Sequence, residues 1–188
     1  MKTYLLLLLT AYPTLTVFAQ PNGVRLNQNG ETNAANISQS GEVGWANISQ
    51  NGSQNWVQTR QAQNGNRLDV EQAGTGNRLT SAQTGGALST TVRQAGTNQY
   101  GDIEQDGSDS YLTIGQRGHD NRATLRQGGN SRLALTQEGN GNWVDMRQNG
   151  DATARQIGTG NGLNVSMTGG QTARMYQNGG GNSIYISR

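Results

Sequence analysis

The sequence predicts an all-β chain folded as a parallel two-sheet β-solenoid, and three observations predict it. Gln recurs every eleven residues from Gln28 through Gln39, Gln50, Gln61, Gln72, Gln83, Gln94, Gln105 and Gln116 to Gln127. Within each interval the residues at +5, +7, +9 and +11 are mostly amide, apolar or small, the period of two that sets side chains on one face of a strand. Hydrophobic residues make up 31% of the chain, against roughly 45–50% in ordinary globular domains, so the core must be thin and repetitive. A short fixed period means one unit stacked on copies of itself.

The N-terminus is a different kind of sequence. Lys2 is the only lysine, an apolar run follows from Tyr4 to Leu9, and Val17-Phe18-Ala19 precedes a polar Gln20. Residues 1–19 therefore read as a secretory signal peptide cleaved after Ala19, leaving an exported repeat domain over 20–188 with no membrane span. The absence of Cys rules out a disulfide framework and thiol chemistry. With 14 Lys plus Arg against 12 Asp plus Glu, the chain is near neutral, and nucleic acid is not implied as a partner.

One unit shows the design. From Gln72 to Gln83, Gly falls at +2, Asn at +5, and apolar or small residues at +7 and +9. Turn-forming Gly, Asn, Asp and Ser gather at +1 to +4. Each unit is expected to be a strand of about six residues followed by a tight arc, and two units make a rung of about 22 residues. Roughly seven to eight rungs fit the chain, stacked about 4.8 Å apart with the two sheets about 10 Å apart. The late intervals are shorter: Gln127 to Gln137 is ten and Gln148 to Gln156 is eight, with Met167 and Arg188 standing where Gln would fall. A tightened arc and a weaker strand are expected around Ala152 and Ala154.

Stacking puts equivalent carboxamides above one another, so each can donate to one neighbour and accept from the other. That satisfies polar groups whose burial otherwise costs several kcal/mol each. The expected inward ladder residues are Gln28, Asn33, Gln39, Gln50, Asn55, Gln61, Asn66, Gln72, Asn77, Gln83, Gln94, Gln105, Gln116, Asn121, Gln127, Gln137, Asn142, Gln148 and Asn161. The opposite face carries Arg25, Trp45, Trp56, Arg60, Arg67, Arg78, Tyr111, Arg122, Arg126, Trp143 and Arg147. Spacing by 22 sets Trp56, Arg78, Tyr100 and Arg122 in one surface column, where aromatic–Arg alternation avoids like-charge stacking and permits cation–π contact. Neither end of the repeat domain carries a recognisable cap, so both are expected to template further strands.

No catalytic, cofactor or metal constellation emerges. His119 lies in a turn-like segment without partners at defined spacing, and the Gly-rich stretches precede no helix. The Gly-Gly-x-Gly-x-Asp pattern of calcium-binding β-rolls is missing. The chain is expected not to be an enzyme.

The units Gln72-Ala73-Gly74-Thr75-Gly76-Asn77 through Gln83, and Gln137-Glu138-Gly139-Asn140-Gly141-Asn142 through Gln148, resemble the curlin repeat of bacterial curli. The resemblance extends over about residues 22–188. It implies a secreted, self-polymerising subunit of extracellular amyloid fibres on the bacterial surface, serving adhesion and biofilm matrix. It also implies a nucleator or major partner subunit and an outer-membrane secretion channel. Asn22 begins the first strand directly after the expected cleavage point, so the Gly-rich leader of the family's major subunits is nearly absent, and the repeats are more numerous than in enterobacterial members. Outward Arg and the terminal Ile186-Ser187-Arg188 are similar to the minor nucleator, while the long regular stack favours the major subunit; the two stay open, beside a monomeric solenoid adhesin.

Overall fold

Strands and arcs alternate along the chain in a computed structural model that describes residues 22–187 in full and, by backbone alone, the two N-terminal strands β1 (Thr3–Leu7) and β2 (Thr14–Ala19). Arg188, the expected site of a last Gln, lies outside the described residues. One sheet contains β3 (Asn22–Asn29), β5 (Gly44–Ser53), β7 (Asn66–Thr75), β9 (Ser89–Thr97), β11 (Tyr111–His119), β13 (Arg132–Asn140), β15 (Gly150–Thr159) and β17 (Gln171–Gly180). The other contains β4 (Ala34–Ser40), β6 (Trp56–Ala62), β8 (Arg78–Gln83), β10 (Tyr100–Gln105), β12 (Arg122–Gln127), β14 (Trp143–Gln148), β16 (Gly162–Ser166) and β18 (Ser183–Ser187). From β3 onward every neighbouring pair is parallel and in register, as Gln72 beside Gln50 illustrates. The chain is a parallel two-sheet β-solenoid of eight rungs.

The two strands of a rung are not equivalent. In the β3 sheet they run eight to ten residues, longer than the expected six, whereas in the β4 sheet they run five to seven. The longer strands continue in the ladder past Gln and through the Gly at +2, as Gly74 pairing with both Gly52 and Gly96 shows. That Gly holds φ between 106° and 120° in all eight rungs, and the residue at +4 is left-handed with φ of 53° to 69°. A Cβ on Gly74 would lie 2.1 Å from the Gly96 carbonyl oxygen, so the column accepts only hydrogen there. This arc keeps a fixed span of five residues from Gln to the residue of the Asn column in every rung, from Gln28–Asn33 to Gln177–Asn182.

All irregularity falls in the other arc, which returns from the β4 sheet to the β3 sheet. Only Asn149 separates β14 from β15. The eight-residue interval thus tightens the arc, as expected, but the strand is not weakened. β15 keeps ten residues, buries Ala152 and Ala154, and pairs with β13 and β17.

The core is two aliphatic residues wide per strand, and its buried members include Val24, Ile48, Leu68, Leu79, Val92, Ile103, Leu125, Leu135, Met146 and Val165. Among the described residues, carboxamides, a few hydroxyls, Leu88 and Met167 flank them inside. At the C-terminal end β17 and β18 are the outermost strands of their sheets. At the N-terminal end the expectation of an open edge needs correction for the full chain: β2 pairs antiparallel with β3, and β1 antiparallel with β4. Both covering strands come from the segment read as a signal peptide, and β2 ends at Ala19.

Gly74→Ala is expected to lower stability by about 2 kcal/mol, since it forces a side chain into a forbidden backbone region against a carbonyl. Gly115, outward with nothing within 4 Å of a Cβ and no positive φ, accepts Gly115→Ala with a gain of about 0.5 kcal/mol. Chemical denaturation midpoints of the two variants give the comparison; equal midpoints would contradict the stacked-glycine arc.

Candidate functional site

The chemistry of this chain lies in its inward amides. Gln28, Gln50, Gln72, Gln94, Gln116, Gln137, Gln156 and Gln177 form one unbroken column, each donating Nε2–H to the Oε1 of the next at 2.6–2.9 Å. On the β4 sheet, Gln39, Gln61, Gln83, Gln105 and Gln127 form a second column at 2.7–3.1 Å. That column ends at Gln127, whose Nε2 turns to the carbonyls of Tyr111 and Ser131. Gln148 lies buried beyond it, donating to Arg132 and Gly150 carbonyls while its Oε1 has no partner. The one-residue arc after Gln148 draws its amide to the Gly150 carbonyl, and Met167 follows in the column.

The third column stands in the invariant arc and holds Asn33, Asn55, Asn77, Gln99, Asn121, Asn142, Asn161 and Asn182. Here Asn55, Asn77, Asn142, Asn161 and Asn182 donate Nδ2–H backward, as Asn55 does to Asn33 Oδ1 at 3.2 Å and Asn161 to Asn142 Oδ1 at 3.0 Å. The same Oδ1 accepts the backbone N–H of the next rung's Asn, and Nδ2 also reaches the carbonyl of the next rung's arc Gly. In the amide-to-amide bonds the Gln side chains therefore donate toward the C-terminal end and the Asn side chains toward the N-terminal end. Gln99 interrupts the series: its longer side chain donates to the Gly118 carbonyl, and its Oε1 is buried without a partner.

Asn66 is placed apart from the other sequence-predicted ladder residues. It is buried, donates to the Ala62 carbonyl and accepts from Leu88 N–H. Its column neighbours are Gly44 and Leu88, so it makes no amide-to-amide bond. Sequence reasoning passed over Gln99, Gln156, Gln177 and Asn182. The fixed Gln-to-Asn spacing of five would have found all four, because it persists where the spacing of eleven breaks down.

The outer faces carry charge and aromatic rings. Arg78 lies over the Trp56 ring at 4.2 Å, and Arg122 over Tyr100 at 4.7 Å, in the expected column; on the other face Arg132 lies over Tyr111 at 5.5 Å. Arg126 pairs with Glu104 at 2.9 Å, Arg93 with Glu71 at 3.4 Å and Arg155 with Glu138 at 3.6 Å, each across one rung. The hydrogen bond from Arg126 to the Glu104 carboxylate raises that guanidinium above its ordinary range. Exposed pairs of this kind contribute about 0–1 kcal/mol, too little to hold the stack. They set opposite charges across rungs, although Arg126 also stands opposite Arg147 in the ladder. His119 is exposed, with its backbone paired between Thr97 and Asn140. No helix among the described residues is long and apolar enough to cross a membrane.

The profile of the Curlin associated repeat matches residues 85–118, which span the arc before β9, then β9 and β10, and most of β11. That segment is similar to the curlin repeat. No curated protein and no solved structure matches it. Within the matched segment, Gln94, Gly96, Gln99, Gln105, Gln116 and Gly118 occupy the columns described above. The remaining rungs repeat the same geometry on either side.

Two substitutions separate a bonded amide column from mere polar filling. Gln94→Leu removes the acceptor of Gln72 Nε2 and the donor to Gln116 Oε1, an expected loss of about 2–3 kcal/mol from buried groups left unpaired. Gln99→Asn gives the interrupted column its missing acceptor and an expected gain of about 1 kcal/mol. Both are read from denaturation midpoints, and a stabilising Gln94→Leu would contradict the arrangement.

Proposed function

We propose that this curlin-repeat chain is the structural subunit of an extracellular, curli-type functional amyloid fibre. In this reading the chain is exported, residues 1–19 are removed, and the remaining solenoid polymerises end on end at the bacterial surface, serving adhesion and matrix formation. The observation that carries it is the last rung: β17 and β18 are the outermost strands of their sheets, their outer parallel edges covered by no described residue, at the end of a Gln column that runs unbroken through all eight rungs. An uncovered edge templates the same strand on another molecule, and head-to-tail addition does not close on itself.

The role is structural rather than catalytic, since the buried polar groups are amides and hydroxyls engaged mostly with one another and with the backbone. A nucleator or major partner subunit and an outer-membrane channel accompany the role by virtue of the repeat. Removal of residues 1–19 takes away β1 and β2, the two antiparallel strands over the first rung, and so opens the second growing end.

The chain spanning 20–188 is expected to form fibres at micromolar concentration, with thioflavin fluorescence and diffraction spacings of about 4.8 Å and about 10 Å. The chain that keeps residues 1–19 is expected to lag behind it. A 20–188 chain that stays monomeric for days would overturn the proposal. Seeding tests its rank within the fibre: a major subunit extends seeds of its own kind, and a nucleator shortens the lag of a second curlin-repeat protein.

A further inference from the structure

The geometry points to a binding site for an acidic sugar, a uronate unit of a polysaccharide, in a trough on the outer face of the β3 sheet at Gly115. The trough is built by four neighbouring strands of one molecule, β7, β9, β11 and β13. It therefore exists however molecules join, and goes beyond the fibre function proposed above.

Gly115 is the signal. It stands in the middle of β11, in unbroken register with Arg93 on one side and Thr136 on the other, so no bulge accounts for it. Its φ is not positive, and no atom lies within 4 Å of the place a Cβ would take. Neither backbone conformation nor a crowding neighbour requires glycine here. Gly141, Gly160, Gly169, Gly170 and Gly181 leave the same open space, but each of them has positive φ. A glycine inside a strand weakens it and marks a bulge, a sharp bend, or the close approach of a ligand or another backbone. Of these, only approach from outside fits Gly115.

The lining suits one ring carrying one charge. The trough encloses about 210 Å³, below the roughly 300–1,000 Å³ of sites for drug-sized ligands, so it takes a single ring. Ala73, Ala95 and Gly115 form its floor, and more of its lining is apolar than polar. Arg93 precedes Gly115 in the same column, and Arg117 lies two residues along β11 on the same face. Arg93 meets Glu71 at 3.4 Å. Arg117 forms no ion pair among the described residues, because its ladder neighbour Glu138 pairs with Arg155 instead, at 3.6 Å. A guanidinium with free donors at the edge of an open trough is a bidentate partner for a carboxylate.

Acceptors around the trough narrow the class. Glu71, Glu138 and the Thr136 hydroxyl also line it, and all three accept hydrogen bonds from ring hydroxyls. An aromatic acid would leave these acceptors unmatched. The phosphodiester backbone of a nucleic acid would bring closely spaced negative charge against both glutamates. A uronate supplies one carboxylate for the guanidiniums and hydroxyls for the glutamates.

Titration calorimetry of the folded protein at low salt tests the site with three probes: trigalacturonate, its methyl ester, and single-stranded oligothymidylate. The ester keeps the rings and hydroxyls and removes the charge. Gly115→Val fills the trough with a residue at home in strands, Arg117→Gln removes the free guanidinium, and Arg60→Gln, outward on the β4 sheet, is the control. Trigalacturonate is expected to bind, and its ester to bind at least about tenfold more weakly, as loss of a charge-assisted contact implies. Gly115→Val and Arg117→Gln are each expected to lose at least about tenfold in affinity for trigalacturonate, with Arg60→Gln unchanged. A denaturation midpoint of Gly115→Val no lower than that of the unaltered protein separates blocked binding from unfolding; were it lower, Arg117→Gln carries the test alone. No binding of trigalacturonate, equal binding of the ester, undiminished binding by Arg117→Gln, or tighter binding of oligothymidylate would each overturn the site. Absence of fibres would overturn the fibre function and leave these outcomes readable on the soluble protein.

Discussion

The amide-to-amide hydrogen bond between rungs is the constraint on which this fold depends. A solenoid two aliphatic residues deep per strand cannot exclude water from wide polar surfaces, and its amide residues would be costly inside unless bonded. Stacking solves this because a carboxamide has a donor end and an acceptor end, and the repeat sets them one rung apart. The eight-membered Gln column running from Gln28 to Gln177 converts a polar interior into a continuous chain of bonds along the axis. Cooperative polarisation along such a chain favours unbroken runs. Where the runs break, at Gln99 and Gln148, a buried oxygen is left without a partner.

The second constraint is the asymmetry of the rung. One arc is a rigid column of Gly, a left-handed residue and Asn, identical in length in all eight rungs. The other arc shrinks to Asn149 between β14 and β15. Side chains of the rigid arc bond both ways along the stack, so a lost residue there would break bonds above and below. The variable arc carries no such column: its positions hold Asn22, Gly44, Asn66, Leu88, Ser110, Ser131, Gly150 and Gln171 in turn. Deletions are therefore tolerated on one side only. Surface charge plays a lesser part, since its pairs are exposed and weak.

Much of this was legible in the sequence, because period two and period eleven are both geometric statements. The sheet faces of Leu68, Val70, Arg67 and Trp56 follow from alternation alone. What alternation could not show was the difference between the two arcs. Asn66 and Asn77 both stand five residues after a Gln, yet only Asn77 has carboxamides stacked next to it, and sequence reasoning placed both in the ladder. Comparing positions 22 residues apart, rather than 11, separates them. The uneven strand lengths were hidden for a related reason: Gly at +2 signals a turn in general, but at Gly74 it is a strand residue between two other glycines. The antiparallel cover from β1 and β2 had no periodic signature, since neither strand shares the repeat.

Side-chain amide hydrogen exchange in the assembled protein tests the central claim most directly. Gln72, Gln94 and Gln116 point into the stack, whereas Gln58 is exposed on the outer face of β6. If amide columns hold the solenoid together, the Nε2 protons of the three inward residues exchange as slowly as the backbone N–H groups of β7, β9 and β11, and those of Gln58 exchange as in free peptide. Fast exchange at Gln72, Gln94 and Gln116, matching Gln58, would contradict the account.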